Sequence, residues 1–275
     1  GAGRTVGCRA RPARRRYFVE EMEQVQRRRA FFGRDAELAV FERAIANAGE
    51  GAPPVLLVNG DAGMGKTTLV QEAAARAGIP LLLGRGMHIG GHGLPLAPLL
   101  DLVRRARRLA PDAAGVDSLT ALLSGSGDDA GPAAVFEAAL DLMVSLGRDG
   151  VVVVGFEDLH WADALTWDLV DFLVRNLVEE QVVLVCTYRH HDIGDAGLRV
   201  RLAELGRLPN VVRVDLDGLP ADDVARHVVA LAGDAVSPQL VDEVIARGQG
   251  NPLFTEELLA ARDAGEQVPS LLADL

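Results

Sequence analysis

A chain of 275 residues with 49% apolar and 24% charged side chains lies far from the low-hydrophobicity regime of disordered proteins, and its length suits one large α/β domain or a core with a small partner. The longest stretch without a charged residue, 86–100, holds 15 residues with four Gly and two Pro, short of the roughly 20 apolar residues that a membrane span needs. Net charge is −11, but nine Arg against three Glu in residues 1–30 leave residues 31–275 at −17, a field that repels the phosphate backbone of nucleic acids.

Residues 1–30 read as a basic N-terminal arm, solvated and partly helical, without the apolar segment of a secretory signal. Cys8 and Cys186 form no CxxC pair, which points away from a disulfide framework or zinc cluster and towards a reducing cytoplasm. From residue 31, strands and helices alternate. Strands are predicted over 55–59, 80–83, 151–156, 182–187 and 211–214, and helices over 35–48, 67–77, 96–109, 132–146, 164–176 and 198–205. The strands are short, nearly continuous Val/Leu runs, as expected of a parallel sheet covered on both faces. After residue 214 only helices are predicted, over 221–231, 238–247 and 253–261, the second opened by Ser237 as N-cap and Pro238. The expected division is a basic arm at 1–30, a P-loop core at 31–217, and a helical lid with a C-terminal tail at 218–275. A DNA-reading helix-turn-helix in the last part is disfavoured by the long 232–237 connection and by Asp242 and Glu243 on the second helix.

The 28 basic residues include a single lysine, Lys66, and it sits in Gly60-Asp-Ala-Gly-Met-Gly-Lys-Thr67. That segment fits G-x-x-x-x-G-K-[ST] and follows a strand to open a helix, the context in which the motif cradles phosphates. Gly60, Gly63 and Gly65 let the backbone turn so that successive N–H groups, from Asp61, Ala62 and Met64 through Thr68, converge on phosphate oxygens at a helix N-terminus. Lys66, a compact point charge where every other cation is a guanidinium, reaches the β- and γ-phosphates. The Thr67 hydroxyl is expected to ligate Mg²⁺.

A phosphate loop also needs carboxylates from another strand. The run Val151-Val-Val-Val-Gly-Phe-Glu-Asp158 ends in adjacent acids at the end of a buried strand, where open α/β sheets collect their sites. Glu157 is assigned to the metal shell and Asp158 to polarising the attacking water. Gly155 interrupts this strand, a residue that usually marks a close backbone approach.

Five ordered motifs, spanning about 31–262, resemble the ATPase domain of STAND signalling ATPases, and within them the large ATP-binding LuxR-type (MalT-like) transcriptional regulators. They are Phe32-Gly-Arg-Asp-Ala-Glu-Leu38, the phosphate loop, Glu157-Asp-Leu-His-Trp-Ala-Asp163, Cys186-Thr-Tyr-Arg189 and Gly250-Asn-Pro-Leu-Phe-Thr-Glu-Glu-Leu258, with Leu94-Pro-Leu-Ala-Pro-Leu99 between them. The resemblance implies an α/β P-loop NTPase fold with a parallel sheet and a small helical lid. It places Phe32, Gly33 and Arg34 by the nucleotide, with Phe32 near adenine. Arg189 becomes a sensor of the γ-phosphate, and Pro252 approaches the base from the lid. His160, Trp161 and Asp163 match the family block either functionally or as a packed Trp beside a capping Asp. Glu157 departs from the family's usual Asp by one methylene.

The implied cofactors are ATP or ADP with Mg²⁺, and the implied function is a slowly hydrolysing switch with adenine nucleotide as partner. Self-association through the ATPase domain, and DNA contact only through a domain outside this chain, follow from the same resemblance. Two alternatives stay open: a nucleotide-binding module without significant hydrolysis, and a DNA-loading AAA+ ATPase of the initiator type. His88 and His92 read as loop residues, and His190 and His191 as solvated neighbours of Arg189, without the spacing of a zinc site.

Overall fold

The computed structural model describes residues 31–86, 88–89, 92–124, 131–233 and 236–263. The basic arm with Cys8, the C-terminal tail from 264 and most of the 124–131 Gly/Ser/Asp patch lie outside the described residues. Helix α1 (Asp35–Asn47) leads into β1 (Val55–Gly60), α2 (Lys66–Ala77) and β2 (Leu81–Arg85). The two-residue strands β3 (His88–Ile89) and β4 (His92–Gly93) then pair antiparallel, so the segment expected as a plain loop is a minimal hairpin. Next come α3 (Ala97–Leu109), α4 (Val116–Leu123), α5 (Pro132–Leu146), β5 (Val152–Glu157), α6 (Ala164–Asn176), β6 (Val182–Tyr188), α7 (Ala196–Leu205) and β7 (Val211–Leu216). Helices α8 (Ala221–Ala232), α9 (Pro238–Gly248) and α10 (Pro252–Asp263) close the described chain.

Strands β2, β5, β6, β1 and β7 lie side by side in that order, all parallel. Alternating side chains of these runs fill two cores. Leu57, Val154, Phe156, Leu184 and Cys186 face α3 to α7, whereas Leu56, Val58, Val153, Val183 and Val185 face α1 and α2. Connections that move one way along the sheet therefore cross one face, and the β1–α2–β2 connection, moving the other way, crosses the opposite face. That is what uniformly right-handed crossovers require. Neighbouring strands β1 and β6 thus send their chains to opposite sides, and a crevice opens at their C-terminal ends. Helices α8 to α10 pack on one another around Leu219, Val224, Val228, Val244, Leu258 and Leu259, a separate small core.

Two glycines record how tightly this sheet is covered. A Cβ on Gly155 would stand 2.4 Å from Leu83 Cδ2, so the glycine that interrupts β5 makes room for the side chain of its β2 neighbour, to which it is paired. A Cβ on Gly84 would stand 2.0 Å from the Pro98 carbonyl oxygen, where the first turn of α3 presses on β2. No helix among the described residues is long and apolar enough to cross a membrane.

Because the obstacle at Gly84 is main chain and cannot swing aside, Gly84→Ala is expected to destabilise the fold by about 1–3 kcal/mol, read as a lower urea midpoint at unchanged slope. Cys186 is fully buried on β6, and burial pushes its thiol pKa up to about 12. Iodoacetamide at pH 8 should leave the Cys186 peptide unmodified in folded protein and alkylate it after unfolding, as read by mass spectrometry.

Candidate functional site

The phosphate loop sits at the crevice. Gly60 ends β1, Gly63 and Gly65 take φ of 77° and 85°, and Lys66 opens α2. Lys66 is 8% exposed, and its Nζ donates to the carbonyls of Gly60 at 2.7 Å and Asp61 at 3.0 Å. Two of three N–H donors are thereby used on main chain, leaving one for a ligand. Burial lowers the Lys66 pKa and the Arg189 guanidinium lowers it further, while Asp158, Asp61 and Asp192 act the other way. A Cβ on Gly65 would meet nothing within 4 Å, so the loop is open above its centre. A buried ammonium with a remaining donor, beside an open turn at a helix N-terminus, is the arrangement that polyphosphate chemistry requires.

Both oxygens of Glu157 are engaged although the residue is only 1% exposed. Its Oε1 accepts from the Thr67 hydroxyl and its Oε2 from Arg85 Nε at 3.0 Å. Arg85 ends β2 and pairs in register with Glu157, and this ion pair raises the arginine's proton affinity further. Asp158 follows with φ of 57°, its N–H donated to Thr187 Oγ1 at 3.0 Å. The hydroxyl and carboxylate nominated for Mg²⁺ are thus in contact, a donor set of hard oxygens that suits this ion.

A cleft runs from the loop to the C-terminal helices. The nominated residues Phe32, Arg34, Met64, Gly65, Thr68 and Pro252 line it, together with Phe31, Leu219, His227 and Glu256, which sequence reasoning did not assign. Phe32 lies under the Arg226 guanidinium, with Cζ 5.7 Å from the ring centroid, and 6.0 Å from the His227 ring. Arg34 ties three segments: it pairs with Glu37 at 3.1 Å and donates to the carbonyls of Asp217 and, at 3.4 Å, Met64. Gly33 is not a lining residue; its φ of 65° and a would-be Cβ 2.6 Å from Asp223 Oδ2 explain why glycine stands there.

Ala62 and Gly63 meet the C-terminal helices directly. Asn251, 5% exposed, donates from Nδ2 to the Ala62 carbonyl at 2.8 Å, while its Oδ1 caps α10 by accepting from the N–H groups of Leu253 at 3.1 Å and Phe254 at 3.4 Å. Asn251 lies in the 250–258 motif, where the resemblance assigns a role only to Pro252 beside it.

Arg189 follows β6. Its Nη1 lies 3.3 Å from Asp192 Oδ2 and its Cζ 5.6 Å from the Trp161 ring centroid. The reading of the 157–163 block as a packed Trp beside a capping Asp holds for one residue only. Asp163 caps α6, accepting from Leu165 N at 3.1 Å, and also accepts from Leu96 N at 3.1 Å. Trp161, by contrast, is 39% exposed, and Trp167 is the indole in the core. No cluster of three or more metal-ligating side chains of the zinc kind occurs among the described residues.

Comparison with known proteins gives three findings. The family described as AAA ATPase domain matches residues 30–185. A curated but uncharacterized protein of Rhizobium meliloti (strain 1021) is 29% identical over 244 residues, which cover 77% of this chain and 23% of that protein; this chain thus spans less than a quarter of its relative's length. Among solved structures, a Walker-type ATPase of Pyrococcus abyssi superposes with a TM-score of 0.53 at 14% identity, covering 86% of this chain and 69% of the other. A DNA replication initiation factor superposes with a TM-score of 0.50 at 14% identity, covering 84% and 62%. At these identities the structural likenesses concern the fold alone.

Asn251→Ala removes a buried amide that bonds the loop on one side and caps a helix on the other. It is expected to lower stability by about 1–2 kcal/mol in urea unfolding and to speed amide exchange in the first turn of α10.

Proposed function

The chain belongs to the AAA ATPase domain family, and from that membership we propose that it is the ATP-binding, slowly hydrolysing part of a signalling switch within a LuxR-type transcriptional regulator of the STAND class. The observation that carries this reading is the Lys66 ammonium, buried and bonded to Gly60 and Asp61 beside the Thr67–Glu157 contact. The LuxR and STAND assignment is supported by the five ordered motifs. We divide the chain functionally into a core at 31–217 and a lid from 218 onwards.

In this reading the N–H groups of the 60–68 loop and Lys66 hold the β- and γ-phosphates of ATP, and Thr67 with Glu157 holds Mg²⁺, directly or through its water. The metal supplies charge neutralisation along the polyphosphate. Asp158, oriented by its main-chain bond to Thr187, accepts the proton of the attacking water. Arg189 stabilises the charge that develops on the terminal phosphate. Phe32 and Pro252 flank the adenine, Arg34 ties the loop to Asp217 at the end of the core, and Asn251 ties the loop to the lid, so that nucleotide state biases lid position. The reaction is ATP and water to ADP and phosphate. Self-association through this domain is the output we assign to the triphosphate state.

A DNA-loading ATPase shares the sheet and the lid, and the initiation-factor likeness supports that alternative only at the level of fold. The charge of −17 over residues 31–275 opposes nucleic-acid tracking by this body.

Titration calorimetry with Mg²⁺ should show ATP and ADP binding to the native chain, and Lys66→Ala should weaken both by more than about tenfold. Asp158→Asn should keep that affinity and slow single-turnover phosphate release by about 10²-fold or more. Equal release rates in the native protein, Lys66→Ala and Asp158→Asn would remove the hydrolytic reading.

A further inference from the structure

One carboxylate oxygen beside the phosphate loop faces two donors. Asp192 Oδ2 lies 3.3 Å from Arg189 Nη1 and 3.8 Å from His160 Nε2. The first distance is a long hydrogen bond and the second is beyond hydrogen-bond reach, so the carboxylate serves the arginine and not the histidine. The His160 side chain is fully buried, and neither ring nitrogen has a hydrogen-bond partner among the described residues. Arg189 Nε is likewise buried and without a partner. An imidazole orphaned on both nitrogens is uncommon in a well-packed interior and calls for an arrangement of the same groups that satisfies it.

The surroundings supply that arrangement. Arg189 lies over one indole, Trp161, whose ring is also 4.7 Å from the His160 ring. The loop that carries Asp192 is held at its start by His190 N, donated to Asn59 Oδ1 at 3.0 Å, and Asn59 in turn donates to Asp215 at 2.9 Å. The base of the loop is therefore fixed while the Asp192 side chain, 43% exposed, has room to turn. Arg189 stands close enough to Lys66 for its charge to be felt there, so an anion at Lys66 attracts both.

We propose that Asp192 is a latch with two partners: it holds Arg189 against Trp161 in the resting chain and passes to His160 Nε2 when a nucleoside triphosphate draws Arg189 towards Lys66. The proposal rests on the nucleotide reading of the site and adds what restrains Arg189 when no terminal phosphate is present. Asp192, His160 and Trp161 are positioning residues in this account. The exchange is a change of hydrogen bonds only: Arg189 gives up a carboxylate and gains phosphate, and the freed carboxylate accepts from the orphaned imidazole. A partly exposed Arg–Asp pair is weak, so a polyphosphate displaces it, whereas a diphosphate that ends short of Arg189 leaves it in place.

The test uses the full chain with both tryptophans replaced by 5-fluorotryptophan and read by ¹⁹F NMR. The Trp161 line is assigned by its loss in Trp161→Phe, and the fully buried Trp167 serves as the internal reference. A non-hydrolysable ATP analogue with Mg²⁺ should shift the Trp161 line, and ADP should leave it near its resting position. In Asp192→Ala and in the isosteric Asp192→Asn, the nucleotide-free Trp161 line should move towards the analogue-bound position, and analogue affinity should rise by about two- to fivefold relative to ADP. His160→Phe should lower analogue affinity with ADP affinity unchanged, whereas a purely structural role would move both alike.

If the native chain binds both nucleotides but neither Asp192 variant alters the Trp161 line or the affinity ratio, the latch is overturned and the nucleotide reading stands. If the native chain binds neither nucleotide, the nucleotide reading itself is wrong, and the latch with it.

Discussion

Everything in this structure converges on one buried cation. Lys66 lies within the protein with two main-chain carbonyls as partners, and burial pulls its proton affinity down. Desolvating an ammonium is unfavourable unless an anion compensates it. Arg34, Arg85 and Arg189 are gathered around the same crevice, in a body whose net charge is −17. Each of these guanidiniums stands beside a carboxylate, Glu37, Glu157 and Asp192 in turn, so the crevice holds charges of both signs around the Lys66 ammonium. The net charge of −17 over residues 31–275 repels an extended polyanion at long range.

The sheet places these groups. Lys66 follows β1, Asp158 follows β5 and Arg189 follows β6, and the crossovers from β1 and β6 leave on opposite faces, so no helix covers the ends of these strands. Coupling to the C-terminal helices is equally local. Asn251 bonds to Ala62 with one end of its amide and caps α10 with the other, so a displacement of the loop main chain and a displacement of α10 exchange through one buried side chain. Under the proposed nucleotide reading, such a two-ended contact is a physical route by which a ligand at the loop would bias the position of the helices.

Much of this was legible beforehand. The five predicted strands match β1, β2, β5, β6 and β7 to within one or two residues, because Val/Leu runs buried on both faces leave little else for the chain to do. Helix α4 was missed: eight residues, opened by Gly115 at φ 86° and carrying Ser and Thr, give too short a period to register. Helix α7 begins two residues before its predicted start because Asp195 caps it. In the site, loop and acids were readable from spacing. Arg85 was not, since its partnership depends on the β2–β5 register, which no local pattern encodes. His227 and Glu256 stood hidden as ordinary polar positions on amphipathic helices, and the exposure of Trp161 depends on what happens to pack above it.

The departure at Glu157 has a geometric reading. Strand β6 separates β5 from β1, and the carboxylate at the end of β5 meets Thr67 in the first turn of α2 rather than a residue of β1 itself. In this chain the carboxylate touches the Thr67 hydroxyl and still accepts from Arg85 on its other side. Glutamate carries one more methylene than aspartate with which to meet both partners, and the small Thr187 side chain, bonded to the Asp158 main chain, stands near the end of the intervening strand. The Glu157 carboxylate is thus held between Thr67 and Arg85, while the Thr187 hydroxyl fixes the main chain of the adjacent Asp158.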